Sequence, residues 1–384
     1  MNADSRVLSY LRSQPMRRGD LQTAVGLTES GLEEALLSLR TLGYRIEDQG
    51  DTLVLISPPD RLLPDEIGVY LATRWLGRAC YCFGAVSSTM DVARRLASGG
   101  APDGTLVVAE RQTSGRGRVG REWLSPPNLG IWCSMIFPAI AGVSPGALAH
   151  IVAAGVVAAL RARGILLVAV KWPNDVVISP LDQEGELPEW ADALPRHWPT
   201  SAVVPAQKVA GILIEGESPA DAGREVERRL IVGLGVNVNH RSDDFPPELR
   251  HSATSIRLCC RHVPGEGERD TAQLNRAEVL ATILRETESR FDAARNGTAA
   301  ESAALVREWN NLSLVVGRRV QIFEAGAALS GRALAIQPDG ALVVQVGNAK
   351  RTLYSGSLSV RVDEAGASAS SLAPELPRRV FPVR

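Results

Sequence analysis

The chain has 384 residues, 45% of them hydrophobic, and a formal net charge of -1. That length can bury more than one core, so two or three domains are expected. Near-neutral charge excludes a polyanion binder by overall composition, and any nucleic-acid role needs a local patch. Five cysteines (Cys80, Cys82, Cys133, Cys259 and Cys260) form no CxxC pair, which argues against a disulfide framework or a zinc site. No signal peptide is visible. The longest apolar run, Ala147 to Leu160, contains His150 and is too short to span a bilayer. A cytoplasmic protein without a membrane partner is expected.

Residues 1–56 read as helix (Arg6 to Ser13), helix (Asp20 to Val25), helix (Thr28 to Leu42), then a hairpin of Tyr44 to Ile46 and Thr52 to Ile56. Leu32, Leu36, Leu39 and Leu42 repeat at helical spacing, and Thr28 is a candidate N-cap. This is the order of a winged helix-turn-helix. A linker over 57–64 follows, marked by Ser57-Pro58-Pro59-Asp60. From 65 to 312 apolar strands alternate with amphipathic helices, an α/β (α+β) pattern. The strands expected there are Thr105–Ala109, Ile131–Phe137, Leu166–Val170, Val209–Ile214 and Leu230–Val238. The helices are Met90–Ala97, Pro145–Arg161 and Thr271–Ala294. Residues 179–206, with five prolines, read as an inserted surface loop. Short alternating strands over 313–362 suggest a small β-barrel, and 363–384 a disordered tail.

Only three of the 42 basic residues are lysine. Lys171 opens Lys171-Trp172-Pro173-Asn174-Asp175, and Lys208 opens Lys208-Val209-Ala210-Gly211-Ile212-Leu213-Ile214-Glu215; Lys350 lies in a polar stretch. A compact ammonium kept beside two apolar runs suits a tight site where one oxygen must be met, which arginine's broad fork does not. Chance placement on exposed loops is the plainer alternative. Gly115-Arg116-Gly117-Arg118-Val119-Gly120 matches the G-x-G-x-x-G string of dinucleotide binders. However, Arg121-Glu122-Trp123-Leu124-Ser125-Pro126-Pro127 cannot open a long helix, and no acid stands about twenty residues on to hold a ribose. What remains is a flexible backbone carrying Arg116, Arg118 and Arg121, suited to bringing two anions together.

Gln112 with Gly115 to Trp123, Lys171 to Asp175, Lys208 to Glu215 and Gly233-Leu234-Gly235-Val236-Asn237-Val238-Asn239 come in the order and spacing of the biotin protein ligases. The resemblance is to the long, repressor-type form and covers nearly the whole chain. It implies a class II aminoacyl-tRNA synthetase-like catalytic domain between an N-terminal winged helix and a C-terminal SH3-like β-barrel. It also implies the chemistry: biotin's carboxylate attacks the α-phosphate of ATP, with Mg²⁺ sharing the charge, and a lysine of a biotin carboxyl carrier protein of acetyl-CoA carboxylase or a related carboxylase then takes the acyl group. By that resemblance Lys208 meets the carboxylate and α-phosphate, Lys171 adds charge, and Asp175 faces the incoming amine. Arg118 folds over the intermediate, while Arg116 and Arg121 order the loop beside biotin and the adenylate. Ser88, Thr89, Gln112, Gly115 and Gly211 form the biotin slot, Trp123 packs near adenine, and Asn174 and Asn237 face phosphates or metal. Phe245 to Ile256 corresponds to the segment over the adenylate.

Plainer readings stand beside these. Trp123 and Trp172 could be core, Asn237 could satisfy backbone, and Ser88 and Thr89 could cap a helix. The chain also departs from the family, with Met90 where Ser-Thr-Asn is usual and Gly356-Ser357 where Gly-Glu is common. Residues 1–56 hold six arginines, no lysine and eight acids, three of them (Glu29, Glu33, Glu34) on the third helix, so DNA-operator binding is doubtful there. Homodimer formation stays open. A lipoate or octanoyl transfer enzyme, and a repressor whose ligase core only senses a small acid, are the competing functions.

Overall fold

The structure, a computed structural model, describes residues 2–178, 206–216, 229–260, 273–324 and 327–360. The insertion expected at 179–206, apart from Ala206, and the tail expected at 363–384 lie outside the described residues.

Local capping sets the first unit. Asn2 Oδ1 accepts from the Ser5 amide at 2.8 Å and starts α1 (Ala3–Leu11). Gly26, left-handed at φ 64°, ends α2 (Arg18–Val25), and the Thr28 hydroxyl accepts from Gly31 to open α3 (Glu29–Leu42). A two-residue strand, β1 (Met16–Arg17), joins the hairpin of β2 (Arg45–Gln49) and β3 (Thr52–Ser57) in the order β1-β3-β2. Two residues are too few to show a strand period, so β1 was not legible beforehand. Leu8, Leu21, Leu36, Leu39 and Leu53 make a core separate from the rest of the chain. The unit is moored to α4 (Pro64–Tyr70), whose buried Glu66 carboxylate takes Arg12 and the Tyr44 hydroxyl.

The central sheet has the order β4 (Cys80–Val86), β5 (Leu106–Gln112), β6 (Gly130–Pro138), β10 (Arg229–Asn237), β9 (Gln207–Gly216), β8 (Asp175–Ile178) and β7 (Val168–Lys171). Only β4 and β5 pair parallel; the other neighbours are antiparallel. Alternate residues face opposite layers. Val108, Met135 and Val232 pack toward α6 (Pro145–Arg161) and α8 (Arg276–Asn296), while Val107, Ile136 and Ile231 pack on α5 (Thr89–Ser98). Gly155 lets α6 and α8 touch, since a Cβ there would sit 2.4 Å from the Thr287 hydroxyl.

Beyond β1 and α4, further elements went unforeseen, among them β4, β8 and α9. β4 mixes glycine and cysteine at the sheet's edge, and β8 is four residues long. α9 (Ala299–Leu312) does carry a start signal, Thr298 with Glu301 in a reciprocal capping box. The C-terminal sheet, β14 (Ala349–Leu353), β13 (Leu342–Val346), β12 (Ala327–Ile336), β11 (Arg319–Glu324) and β15 (Ser357–Val360), is antiparallel in that order. Its Val320, Ile322, Leu342 and Val344 join the central core rather than forming their own. The turn at Asp339-Gly340 rests on the start of α6, where Ser144 Oγ donates to the Asp339 carbonyl at 2.6 Å. Trp172 Nε1 donates to the Gly340 carbonyl at 3.0 Å. Trp172 is therefore buried core and joins two sheets, the plainer of its two readings. Among the described residues no helix is long and apolar enough to cross a membrane.

Candidate active site

Residues Gly115 to Trp123 leave β5 as a narrow loop. The Gly117 amide donates to the Arg121 carbonyl at 2.7 Å, and the Trp123 amide to the Gly115 carbonyl at 2.9 Å. A Cβ on Gly115 would lie 2.3 Å from the Trp123 carbonyl, so only glycine permits this closure. At the tip Val119 takes a left-handed conformation, φ 56°, with 91% of its surface exposed. That conformation is costly for a β-branched residue. Two arginines fasten the loop on opposite sides. Arg116 makes a two-pronged pair with Asp91 of α5 (2.9 and 2.8 Å), and Arg118 donates to Asn174 Oδ1 at 3.2 Å. Burial holds the Arg118 guanidinium below its usual pKa, against the pull of Asp175.

The loop ends by laying Trp123 on glycine. Gly211 of β9 and Gly235 of β10 face each other in register. A Cβ on either would come within 2.8 or 2.4 Å of the indole. Lys208 holds its ammonium 4.9 Å above that ring and 2.6 Å from Asp175 Oδ1. A compact cation between an aromatic face and a carboxylate is what the lysine usage suggested.

Three cavities meet here. The first is a slot with about 50 Å³ of room. On one side Gln112 Oε1 accepts from the Thr89 amide (2.9 Å) and hydroxyl (3.1 Å), and Gln112 Nε2 donates to Ser125 Oγ at 2.9 Å. Thr89 also touches buried Ser134 at 2.8 Å. Ser88 occupies the N-cap position of α5, yet its hydroxyl makes no capping hydrogen bond, so capping does not account for it. Met90, Leu213 and Leu234 supply apolar wall, and Met90 fits because Gly233 has no Cβ, which would lie 2.8 Å from its sulfur. Arg116, Arg118, Asn174, Lys208 and Gly211 also line it, whereas Gly115, expected in the biotin slot, is not among its lining residues.

The second cavity, about 490 Å³, is lined by Gln112, Trp123, Lys208 and Asn237 and by His240, Phe245, Leu249 and Ala253. Asn237 Nδ2 donates to the Thr254 carbonyl at 3.0 Å, so it satisfies backbone and also lines the cavity. The Lys208 amide donates to Ser252 and its carbonyl accepts from Thr254, which ties the 245–256 segment to the lysine's strand. His240 stacks on Phe245 at 5.0 Å, and burial pushes its imidazole down to about 4. The third cavity, about 430 Å³, lies between the loop, the Lys171–Asp175 turn and the C-terminal sheet. Arg118, Arg121, Lys171, Asn174 and Asp175 line it with Phe323 and Gly356. Trp123 and Lys208 line all three.

The residues singled out in the sequence are thus brought together, though not all at one spot: Lys171 and Arg121 reach only the third cavity. Asp91, Ser125, Ser134, His240 and Phe323 were missed. Single polar residues, whether in α5 and β6 (Asp91, Ser134) or in connecting segments (Ser125, His240), carry no spacing signal, and Phe323 arrives from a distant sheet.

Comparisons with known proteins agree with this architecture. The profile of the Biotin/lipoate A/B protein ligase family matches residues 83–237. The bifunctional ligase/repressor BirA of Bacillus spizizenii is 30% identical over 342 residues, 88% of this chain and 92% of that protein. The biotin–[acetyl-CoA-carboxylase] ligase of Mycobacterium tuberculosis is 26% identical over 71% of this chain and 85% of its own length. Among solved structures, the biotin protein ligase of Aquifex aeolicus in complex with biotin and ATP superposes with a TM-score of 0.55 at 23% identity. It covers 74% of this chain and all of its own. Shared fold, identity along nearly the full length and the motifs gathered around Lys208 lead to one conclusion: the chain belongs to the biotin protein ligase family.

Proposed function

We propose that this protein is an ATP-dependent ligase that activates biotin as biotinoyl-5'-AMP and transfers it to a lysine of a biotin carboxyl carrier protein. One observation carries the reading: a single ammonium, Lys208, lies at the junction of three cavities, and the reaction has three reactants. Biotin takes the slot, with Ser88, Thr89 and Gln112 toward its ureido ring. ATP takes the second cavity, with its base near Trp123 and its α-phosphate toward Asn237 and Lys208, and its outer phosphates pass Lys208 into the third cavity toward Asn174. The carrier lysine comes through the third once pyrophosphate has left.

In the first step a biotin carboxylate oxygen bonds to the α-phosphorus as the bond to pyrophosphate breaks. Two anions must approach, so Lys208 neutralises both where they meet and Arg118, Arg121 and Lys171 hold the departing charge. Lys208 is held by Asp175 and Arg118 by Asn174 when the loop is closed, which lessens the reorganisation needed. In the second step the carrier amine attacks the acyl carbon, AMP leaves, and the amine's proton goes to solvent past Asp175, which orients the nitrogen. Mg²⁺ belongs to the substrate, arriving on the triphosphate; among the described residues no cluster of metal-ligating side chains forms a resident site.

We further read residues 1–56 as a winged helix, 65–312 as the catalytic domain and 313–362 as an SH3-like barrel whose Phe323 and Gly356 border the carrier's entrance. The odd, unpaired cysteine set and the need for ATP suit a cytoplasmic setting. A second reading, that the protein also represses transcription as a homodimer on an operator, is favoured by the bifunctional name of its relative.

The deciding experiment is biotin-dependent ATP–pyrophosphate exchange on purified protein with Mg²⁺ and no carrier. Exchange with biotin and not with lipoate or octanoate is expected. Exchange with lipoate alone would assign the neighbouring enzyme class, and biotin binding without exchange would leave a sensor.

A further inference from the structure

The acid slot is too small for what it must hold. About 50 Å³ is room for a water or two, whereas pockets for small organic ligands run to about 300 Å³ or more. The loop from Gly115 to Trp123 forms part of that slot's wall, and its side chains hold it on both flanks. On one flank the hold is a single hydrogen bond from Arg118 to a neutral amide oxygen. On the other it is ionic, with both terminal nitrogens of Arg116 on the Asp91 carboxylate. Arg94 braces the same carboxylate at 3.0 Å and reaches Glu215 of β9, which lies 3.9 Å from Arg116. One cluster therefore ties loop, helix and sheet.

We propose that Asp91 is a positioning residue: through Arg116 it latches the loop over the acid slot, and release of that latch admits and discharges the acid. This rests on the slot being the biotin site. Three features suit a latch rather than a permanent strut. The pair is only part-buried, with Asp91 33% and Arg116 37% exposed, and exposed pairs are individually weak and salt-sensitive. Glycines at 115 and 117 flank Arg116 and give the backbone room to swing. The first turn of α5 carries both Thr89, which lines the slot, and Asp91, so latch and slot share one rigid element. Arg116 draws the Asp91 carboxyl below its usual pKa, so the latch is charged across the physiological range.

The test is stopped-flow binding of biotin, read by tryptophan fluorescence, to the full-length protein and its Asp91→Asn and Asp91→Glu variants. Asp91→Asn should bind biotin faster and lose it faster, each by up to about fivefold, with Asp91→Glu restoring most of the difference. High salt should speed association to the parent protein and affect Asp91→Asn, which keeps only the longer Arg116–Glu215 contact, much less. A residue that only supports the fold would slow association or leave it alone, and either result overturns the proposal. Limited trypsin digestion keeps the proposal separate from the biotin assignment. Cutting after Arg116, Arg118 and Arg121 should quicken in Asp91→Asn, and equal cutting overturns the latch. Absence of biotin binding to the parent protein instead sinks the functional reading and leaves digestion to decide the latch. If Asp91→Asn does not fold, Arg94→Gln takes its place, with smaller changes of the same sign expected and none overturning the proposal.

Discussion

Lys208 has little room to be anything else. Its ammonium is bounded by the Trp123 face, the Asp175 carboxylate and the bare Cα of Gly211, where an added Cβ would meet Lys208 Nζ at 3.0 Å. An arginine keeps the charge but spreads it over a plane that this space does not admit. Lys208→Arg should therefore lose on the order of 100-fold in adenylation, measured by pyrophosphate exchange. Activity within a few-fold of the parent would make the position structural. Gly235 is constrained by the opposite side of the same assembly. Gly235→Ala places a methyl 2.4 Å from the Trp123 indole and must displace it. Because Trp123 lines both the slot and the nucleotide cavity, the KM values for biotin and for ATP should both rise, that for ATP on the order of tenfold. An unchanged KM for ATP would count against Trp123 as the base platform.

Among the elements, α3 decides how the first unit meets a partner. Glu29, Glu33 and Glu34 are exposed on it. Five of the six arginines that could offset them are already engaged: Arg18 with Glu33 and Asp48, Arg40 with Asp48 at 2.6 Å, Arg45 with Glu47, Arg12 with Glu66, and Arg6 with the Val25 carbonyl, which leaves the exposed Arg17. Binding phosphates would require breaking those contacts, and few counterions would be released. We expect no sequence-specific binding to its own promoter DNA in the nanomolar range at physiological salt, even with biotin and ATP. A gel-shift showing adenylate-dependent binding of that strength would restore the repressor role. The hairpin tip at Gly50-Asp51 offers no cation either.

At the scale of the whole molecule, two buried histidines couple folding to pH. His150 of α6 stacks on Trp309 of α9 at 5.4 Å, and His240 sits between Trp132 and Phe245. Burial pushes both imidazoles down to about 4 from an ordinary 6.5. Folded, they hold protons less tightly than when unfolded. Their contribution is therefore complete above about pH 6.5 and is lost as pH falls toward 4, at most roughly 3 kcal/mol per imidazole. Urea midpoints should fall between pH 7.5 and pH 5, and less steeply in His150→Leu. Midpoints that do not move would mean the imidazoles are not buried in solution.

Chemistry that depends on residue type and near neighbours was legible in the amino-acid order. The glycine-rich stretch at 115, the Thr28 cap and the apolar run of α6 act within a few residues, so local order reveals them, and the scarcity of lysine is read from composition. What reached across the fold was not. Gly211 and Gly235 lie 24 positions apart, and only antiparallel pairing of β9 with β10 makes them one floor under Trp123. Asp91 becomes Arg116's partner because α5 packs beside the end of β5. Trp172 became core once the turn at Gly340 docked on it. Hydrogen-bond register and packing bring such residues together, and neither is written in the local periodicity of either segment.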